Sequence, residues 1–261
     1  MLSRLAAALV PVVGRLTVSA DIPRLPEGGA VIVANHTSLA DPAVVLAALR
    51  RMGAEPVVLC AAGLWRIPLL GRALTREGYV PVYRGTDRAA DALAVAEAAL
   101  RAGRHVLVYG EGRIPDRPDS ADAPPEEFRT GPARLAAAAG VPLVPLGQAG
   151  ARRITSGSTA KQLAGLLTAP LRRPRLHVHV GVPAHLPADA AAATRLARQA
   201  VTTAWQSAAH RRARLPMCGD GHPSTCAHLA RPADARASRS GSDLVPSYGH
   251  DVRFARQEGR S

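Results

Sequence analysis

Short apolar runs alternate with helix-forming stretches through the first 215 residues, and this alternation constrains the fold more than any other feature of the chain. Residues 30–34 (AVIVA), 56–61 (PVVLCA), 79–83 (YVPVY), 105–109 (HVLVY), 141–146 (VPLVPL) and 175–180 (RLHVHV) have the length and composition of strands. Asp41 as cap and Pro42 at the first position open a helix over 43–52. An Ala-rich helix follows from Thr86 to near Gly103, another covers 132–139 before Gly140, and a last one runs from 187 to about 210. The pattern predicts an α/β chain, a single layered domain with a mostly parallel or mixed central sheet flanked by helices. In such sheets ligands collect beyond the carboxyl ends of the strands. The two prolines of 141–146 remove ladder donors, which suits an edge strand or a bulge.

The two ends of the chain read differently from its middle. Residues 5–13 form an apolar stretch between Arg4 and Arg15, too short to span a bilayer, so residues 1–20 are expected to hold an interfacial helix. The small residues Val18-Ser19-Ala20 would suit a secretory cleavage site, but a single Arg before the apolar stretch argues against one. Residues 21–215 are expected to form the folded domain. In 216–261 Leu, Ile, Val and Phe number five of 46 residues, which predicts a flexible tail. Cys218, His222, Cys226 and His228 lie in that tail at spacings unlike common zinc sites, and no metal is expected. Three cysteines are too few for a disulfide scaffold, and Cys60 sits inside an apolar strand as a small core residue.

Charge narrows the partners. The net charge is +13, and Lys161 is the only lysine among 33 basic residues. Such a field favours anionic partners, and arginine grips phosphate with two prongs. Nucleic acid is not expected, because the chain has 3% aromatic residues and no helix-turn-helix, zinc-finger or RNA-binding signature.

Chemistry concentrates just after the apolar runs. Asn35-His36-Thr37-Ser38-Leu39-Ala40-Asp41 follows AVIVA. There His36 and Asp41 can meet across one turn, the carboxylate fixing the tautomer and freeing the other nitrogen as a base. Asp41 as a helix cap beside an incidental histidine is the plainer alternative. Arg84 follows YVPVY, and Gly110-Glu111-Gly112-Arg113 follows HVLVY, where glycines let backbone approach a ligand. Ser38 near a His and an Asp suggests a serine hydrolase, but no Gly-x-Ser-x-Gly elbow exists. His177 and His179 alternate on one strand face and are expected at the surface.

Taken in order, these segments resemble the glycerolipid acyltransferases, the lysophosphatidic acid acyltransferase family, over roughly residues 20–210. The family's Asn-His-x4-Asp block is matched by Asn35, His36 and Asp41. Its second block ends in an arginine after a strand, matched by Arg84. Its third, Phe-Pro-Glu-Gly-Thr-Arg-Ser, keeps Glu111 and Gly112 but loses the proline, the threonine and the register of the arginine. Arg113 therefore corresponds only as a nearby positive charge. The fourth, an apolar Val-Pro-x-x-Pro strand, is matched at 141–146, and Phe128-Arg129-Thr130-Gly131 resembles the family's basic-x-Gly segment.

The resemblance implies an acyltransferase that moves a fatty acyl group from acyl-CoA or acyl carrier protein to a lysophospholipid hydroxyl. The acceptor most in keeping with it is 1-acylglycerol-3-phosphate, giving phosphatidic acid in phospholipid biosynthesis. It implies His36 and Asp41 as catalytic residues, with Arg84, Glu111, Gly112, Arg113 and Arg129 binding substrate and no cofactor beyond the acyl thioester. It further implies a peripheral or monotopic enzyme at the cytoplasmic face of the cell membrane, on anionic lipid. Leu64-Trp65-Arg66-Ile67-Pro68-Leu69-Leu70-Gly71 could supply an apolar contact there, or could begin a core helix. Two alternatives stand: a different lyso-lipid or glycolipid acceptor, and a basic nucleic-acid- or lipid-binding protein without activity.

Overall fold

The residues of AVIVA alternate between two apolar layers, which places them at the middle of the fold. In the computed structural model, which describes residues 1–86, 88–117 and 119–214, Ile32 and Ala34 join one buried cluster and Val31 and Val33 another. The elements are α1 (Leu2–Val13), β1 (Arg15–Ala20), β2 (Val31–Ala34), α2 (Asp41–Arg51), β3 (Val57–Ala61), α3 (Pro68–Arg76), β4 (Val80–Val82) and α4 (Ala89–Arg101). They continue with β5 (Val106–Tyr109), α5 (Gly131–Ala139), β6 (Leu143–Ala149), α6 (Thr159–Arg172), β7 (Arg175–Val180) and α7 (Ala190–Arg214). Helices α1 and α2 cover one face through Val10, Val44, Val45 and Leu49. Helices α4, α5 and α7 cover the other through Ala96, Leu100, Leu135 and Val201. Strand β2 is buried on both sides, so it reads as a continuous apolar run.

The seven strands form one sheet in the order β1-β7-β6-β2-β5-β3-β4. Strand β2 pairs in parallel with both β5 and β6, and β3 pairs in parallel with β5 and β4. Strands β1 and β7 are parallel to each other, while β7 is antiparallel to β6. The sheet is mixed and mostly parallel, flanked by helices, as the alternation predicts. Its consequence for function is geometric: β2, β3, β4, β5 and β6 all deliver their carboxyl ends to one edge.

Several expectations change. Strand β6 is interior rather than an edge. Pro145 is tolerated because it falls between the isolated Leu143–Ala184 bridge and the β6–β7 ladder that starts at Leu146–Val180. Within residues 1–20 only Leu2–Val13 is helical, and Arg15–Ala20 is a sheet strand whose residues Thr17 and Ser19 pair with His177 and His179. Asp41 lies inside the first turn of α2, with Ala40 at the cap position. Helix α6 has no counterpart in the sequence reading, and α3 matches only the alternative in which 64–71 begins a core helix. The tail over 216–261 and its cysteines and histidines lie outside the described residues, and among the described residues no acidic, histidine or cysteine cluster could hold a metal ion.

His177 and His179 are buried, not at the surface, because their strand face turns toward the layer that α7 covers. Hydroxyls from β1 satisfy them. Thr17 Oγ1 lies 2.7 Å from His177 Nδ1, and Ser19 Oγ lies 2.8 Å from His177 Nε2 and 2.9 Å from His179 Nδ1. The far nitrogen of His179 meets Asp21 at 3.1 Å.

Burial, with Arg211 and His179 adding to it, pushes His177 from its ordinary 6.5 down to about 4. The unfolded chain therefore takes up this proton at a higher pH than the folded one, and stability falls as pH drops across that window. His177→Gln, which keeps a donor and an acceptor but cannot be charged, should lose less melting temperature between pH 6.5 and 4 than the native chain. Equal losses would assign the acid sensitivity to other groups.

Candidate active site

The site begins where β2 stops. Asn35 is fully buried and behaves as one more strand residue: its side chain accepts from the Gln148 amide at 2.8 Å and donates to the Gln148 carbonyl at 3.1 Å. A carboxamide carries both groups in one plane, so it can pair with both backbone atoms of a neighbouring strand. This contact ties the loop after β2 to the carboxyl end of β6.

The next residue, His36, meets Asp41 as expected, with Nδ1 and Oδ2 2.9 Å apart. Asp41 is fully buried, yet its Oδ2 also accepts from the amides of Thr37 and Ser38, and its Oδ1 from the Thr37 hydroxyl. An ionised carboxylate only accepts, so Nδ1 of His36 carries the proton and Nε2 presents its lone pair. Nε2 has no hydrogen bond among the described residues. The imidazole stacks on Tyr109, with centroids 4.2 Å apart and planes at 25°. Ser38 is occupied in holding the loop: its hydroxyl contacts the Thr155 carbonyl at 2.8 Å and the Thr155 hydroxyl at 2.5 Å. It is not hydrogen-bonded to His36 among the described residues.

The loop after β5 stands beside this pair. Glu111 is 3% exposed, and its Oε2 accepts from the His36 amide at 3.0 Å. Burial pushes its carboxyl from 4.5 up to about 8, against the pull of the Glu111 and His36 amides and with a push from Asp41 and Glu126. The neighbouring glycines have separate causes. A side chain at Gly110 would strike the Phe128 ring at 2.3 Å, and Gly112 adopts φ 69°, a left-handed conformation. The Arg129 amide donates to the Gly110 carbonyl at 2.9 Å. The segment around Phe128 thus folds back onto Gly110 and Gly112. Between them lies a cavity of about 430 Å³ lined by Glu111, Arg113, Glu126, Glu127, Phe128, Arg129 and Arg198. Arg113 shares its charge with Glu126 at 3.3 Å.

Of the residues singled out from sequence, His36, Asp41, Glu111, Gly112, Arg113 and Arg129 gather at this place. Arg84 does not. It sits exposed in the turn after β4, three strands from β2, roughly 14 Å along the sheet. The 64–71 segment divides: Leu64, Trp65 and Leu70 pack on the core, while Ile67 and Leu69 are exposed. Burial raises the Cys60 thiol to about 12, in keeping with a core residue. Sequence reading missed Gln148, Arg152, Arg198 and the stacking role of Tyr109. Gln148 and Arg152 carried one available signal, polar groups directly after the apolar strand 141–146.

The acyltransferase family model matches residues 15–148. Among solved structures, the chain is similar to the crystal structure of the 1-acyl-sn-glycerophosphate (LPA) acyltransferase, PlsC, from Thermotoga maritima. Identity is 17% and the TM-score 0.61, over 82% of this chain and 80% of that one. No curated protein matches the chain significantly.

Glu111 makes the site sensitive to alkali. The unfolded carboxyl ionises near 4.5 and the folded one near 8, so the folded state loses stability as pH rises between the two. Glu111→Gln keeps an acceptor for the His36 amide and removes the buried charge. Its melting temperature relative to the native chain should rise steadily from pH 5 to pH 8 and then level off. A difference that does not vary with pH would contradict this account.

Proposed function

The chain belongs to the acyltransferase family, and from that membership we propose that it transfers a fatty acyl group from a thioester to a lysophospholipid hydroxyl. The acceptor we favour is 1-acylglycerol-3-phosphate, giving phosphatidic acid in phospholipid synthesis. The observation that carries this reading is the 2.9 Å His36–Asp41 bond beside a cavity lined by Arg113, Arg129 and Arg198 together with Glu111, Glu126 and Glu127. In it, Nε2 of His36 takes the proton of the acceptor hydroxyl as the oxygen attacks the thioester carbonyl. The tetrahedral adduct collapses, the C–S bond breaks, and the departing sulfur takes the proton back from His36. Asp41 orients the ring and offsets its transient positive charge. A positioned base of this kind contributes ~10²–10⁴-fold. The arginines would hold the phosphate with the glycerol hydroxyl turned toward His36.

The substrates are amphiphiles, so we place the enzyme at an anionic lipid layer on the cytoplasmic face of the cell membrane, and its exposed apolar and basic side chains suit contact with such a layer. Leu5, Leu9 and Val12 of α1 are each at least half exposed, and α6, which packs against α1, exposes Leu163, Leu166, Leu167 and Leu171. Arg4, Arg172 and Arg173 are exposed on the same two helices or just beyond. Among the described residues no helix is long and apolar enough to cross a membrane. Such a surface suits contact with one leaflet, where apolar insertion and anionic lipid act together.

Thiol release from acyl-CoA with 1-acylglycerol-3-phosphate tests the chemistry. His36→Ala should lose nearly all turnover and Asp41→Asn somewhat less. Arg129→Ala should raise the acceptor KM by roughly 10- to 100-fold while the donor KM holds. Arg84→Ala separates two roles, since a higher donor KM alone would assign Arg84 to the phosphates of the thioester carrier. Normal turnover by folded His36→Ala would overturn the mechanism, and a preference for a phosphate-free acceptor would move the acceptor to another lyso-lipid or glycolipid. A second experiment tests the lipid surface. The native chain should float with vesicles containing anionic lipid, and Leu9→Asp with Leu167→Asp should abolish flotation without changing the melting temperature of the domain. Flotation unchanged by these substitutions would rule out this face.

A further inference from the structure

We propose that Arg152 is a positioning residue for the His36–Asp41 pair, acting through the peptide group that joins Thr37 to Ser38. The inference rests on the reading of His36 as the base. Arg152 lies in the short turn Ala151–Arg153 that follows β6, and it is 3% exposed. Its Nη1 donates to the Thr37 carbonyl at 3.0 Å. Its Nη2 donates to the carbonyls of Arg117, at 3.1 Å, and Asp119. A buried cation is costly unless its donors are satisfied, and here backbone carbonyls satisfy both Nη groups, while Nε is buried without a partner among the described residues. The nearest acid, the Asp119 carboxylate, stands at 3.6 Å and is half exposed, so the charge of Arg152 is not cancelled by a buried anion.

The Thr37 carbonyl and the Ser38 amide belong to one peptide unit. Ser38 N–H donates at 2.9 Å to Oδ2 of Asp41, the same oxygen that accepts from His36 Nδ1. A continuous chain therefore runs from guanidinium to peptide to carboxylate to imidazole. A cation on the carbonyl polarises the peptide and strengthens its N–H as a donor, by roughly 10–30% per bond. The chain does two things. It fixes the backbone that aims His36, and it sets a positive charge opposite the carboxylate that supports the charged imidazole. The same guanidinium grips the connection between β5 and α5, which carries Glu111, Arg113 and Arg129. Arg152 thus fastens the base loop to the acceptor loop. Lysine cannot do this, because three carbonyls are reached by the two prongs of one planar group. The other titratable groups around His36 are Asp41 from α2, Tyr109 from β5 and Glu111 from the loop after it.

The test compares Arg152→Gln and Arg152→Lys in the full chain, with acyl-CoA and 1-acylglycerol-3-phosphate as probes and the ring resonances of His36 followed by NMR. Arg152→Gln should lower kcat by about 10- to 100-fold with acceptor KM within about twofold, since the aim of the base is lost and the acceptor cations remain. The His36 titration midpoint should move to higher pH by about half a unit or more, because a nearby positive charge is gone. Arg152→Lys should bring the midpoint back while restoring kcat only in part. A purely structural role would lower the melting temperature and leave both midpoint and kcat of the folded fraction unchanged, which would overturn the proposal. If Arg152→Gln does not fold, Arg152→Lys decides: native kcat overturns the proposal and a loss of about tenfold supports it. Failure of the base reading looks different, since His36→Ala would then keep its turnover whatever Arg152 does.

Discussion

Asp41 is a fully buried carboxylate, and the arrangement of the site follows from what is needed to keep it there. A buried anion without partners is prohibitively costly, so the chain before it must curl to present donors. The amides of Thr37 and Ser38 do so, and Nδ1 of His36 supplies a third N–H. The five-residue spacing between His36 and Asp41 is therefore a condition for folding this loop as well as for the proposed proton transfer. Pro42 adds to it by starting α2 immediately, which puts Asp41 in the first turn where a negative charge is favoured.

Around that anion the neighbouring strands supply the scaffold. Strand β6 offers backbone to Asn35, its Gln148 side chain donates to the Thr37 hydroxyl at 3.0 Å, and the turn after it offers Arg152 and Thr155. Strand β5 offers Tyr109 as a stacking surface and Glu111 as a seat for the His36 amide. Each group comes from a strand that is parallel to β2 and adjacent to it, which is why one edge collects them all. The two buried carboxylates differ in their donors. Asp41 has three N–H groups on one oxygen, while Oε1 of Glu111 is buried without a partner among the described residues, and burial raises its carboxyl to about 8.

The distant side of the sheet shows the same economy of polar groups in another form. His177 and His179 are covered by α7, and Thr17, Ser19 and Asp21 answer their ring nitrogens. Strand β1 alternates polar and apolar residues over Arg15–Ala20, a strand pattern that the reading of residues 1–20 as an interfacial helix passed over. Two of those polar positions, Thr17 and Ser19, pair with the buried histidines of β7. A strand of this kind makes sense only once its partner is known.

What the sequence determined by itself was local. Periodicity marked the apolar strands and the longest helices, because a buried strand must be apolar on both faces and a helix start must be capped or seeded. The motif around His36 and Asp41 was legible because its partners lie five residues apart, within one turn of chain. The loop glycines at 110 and 112 were legible as close-approach positions, although not what approaches them. Tertiary structure decided the rest. The order β6-β2-β5 brings Gln148 and Arg152, more than 100 residues away in sequence, against the loop of His36 and Asp41. The fold-back of Phe128 and Arg129 onto Gly110 and Gly112 builds the cavity lined by arginines and glutamates, and α7 adds Arg198 to it. The position of β4 at the far edge keeps Arg84 apart from it. None of these follows from spacing, because strand order and loop closure are set by which apolar faces bury against which, a property of the whole chain rather than of any segment.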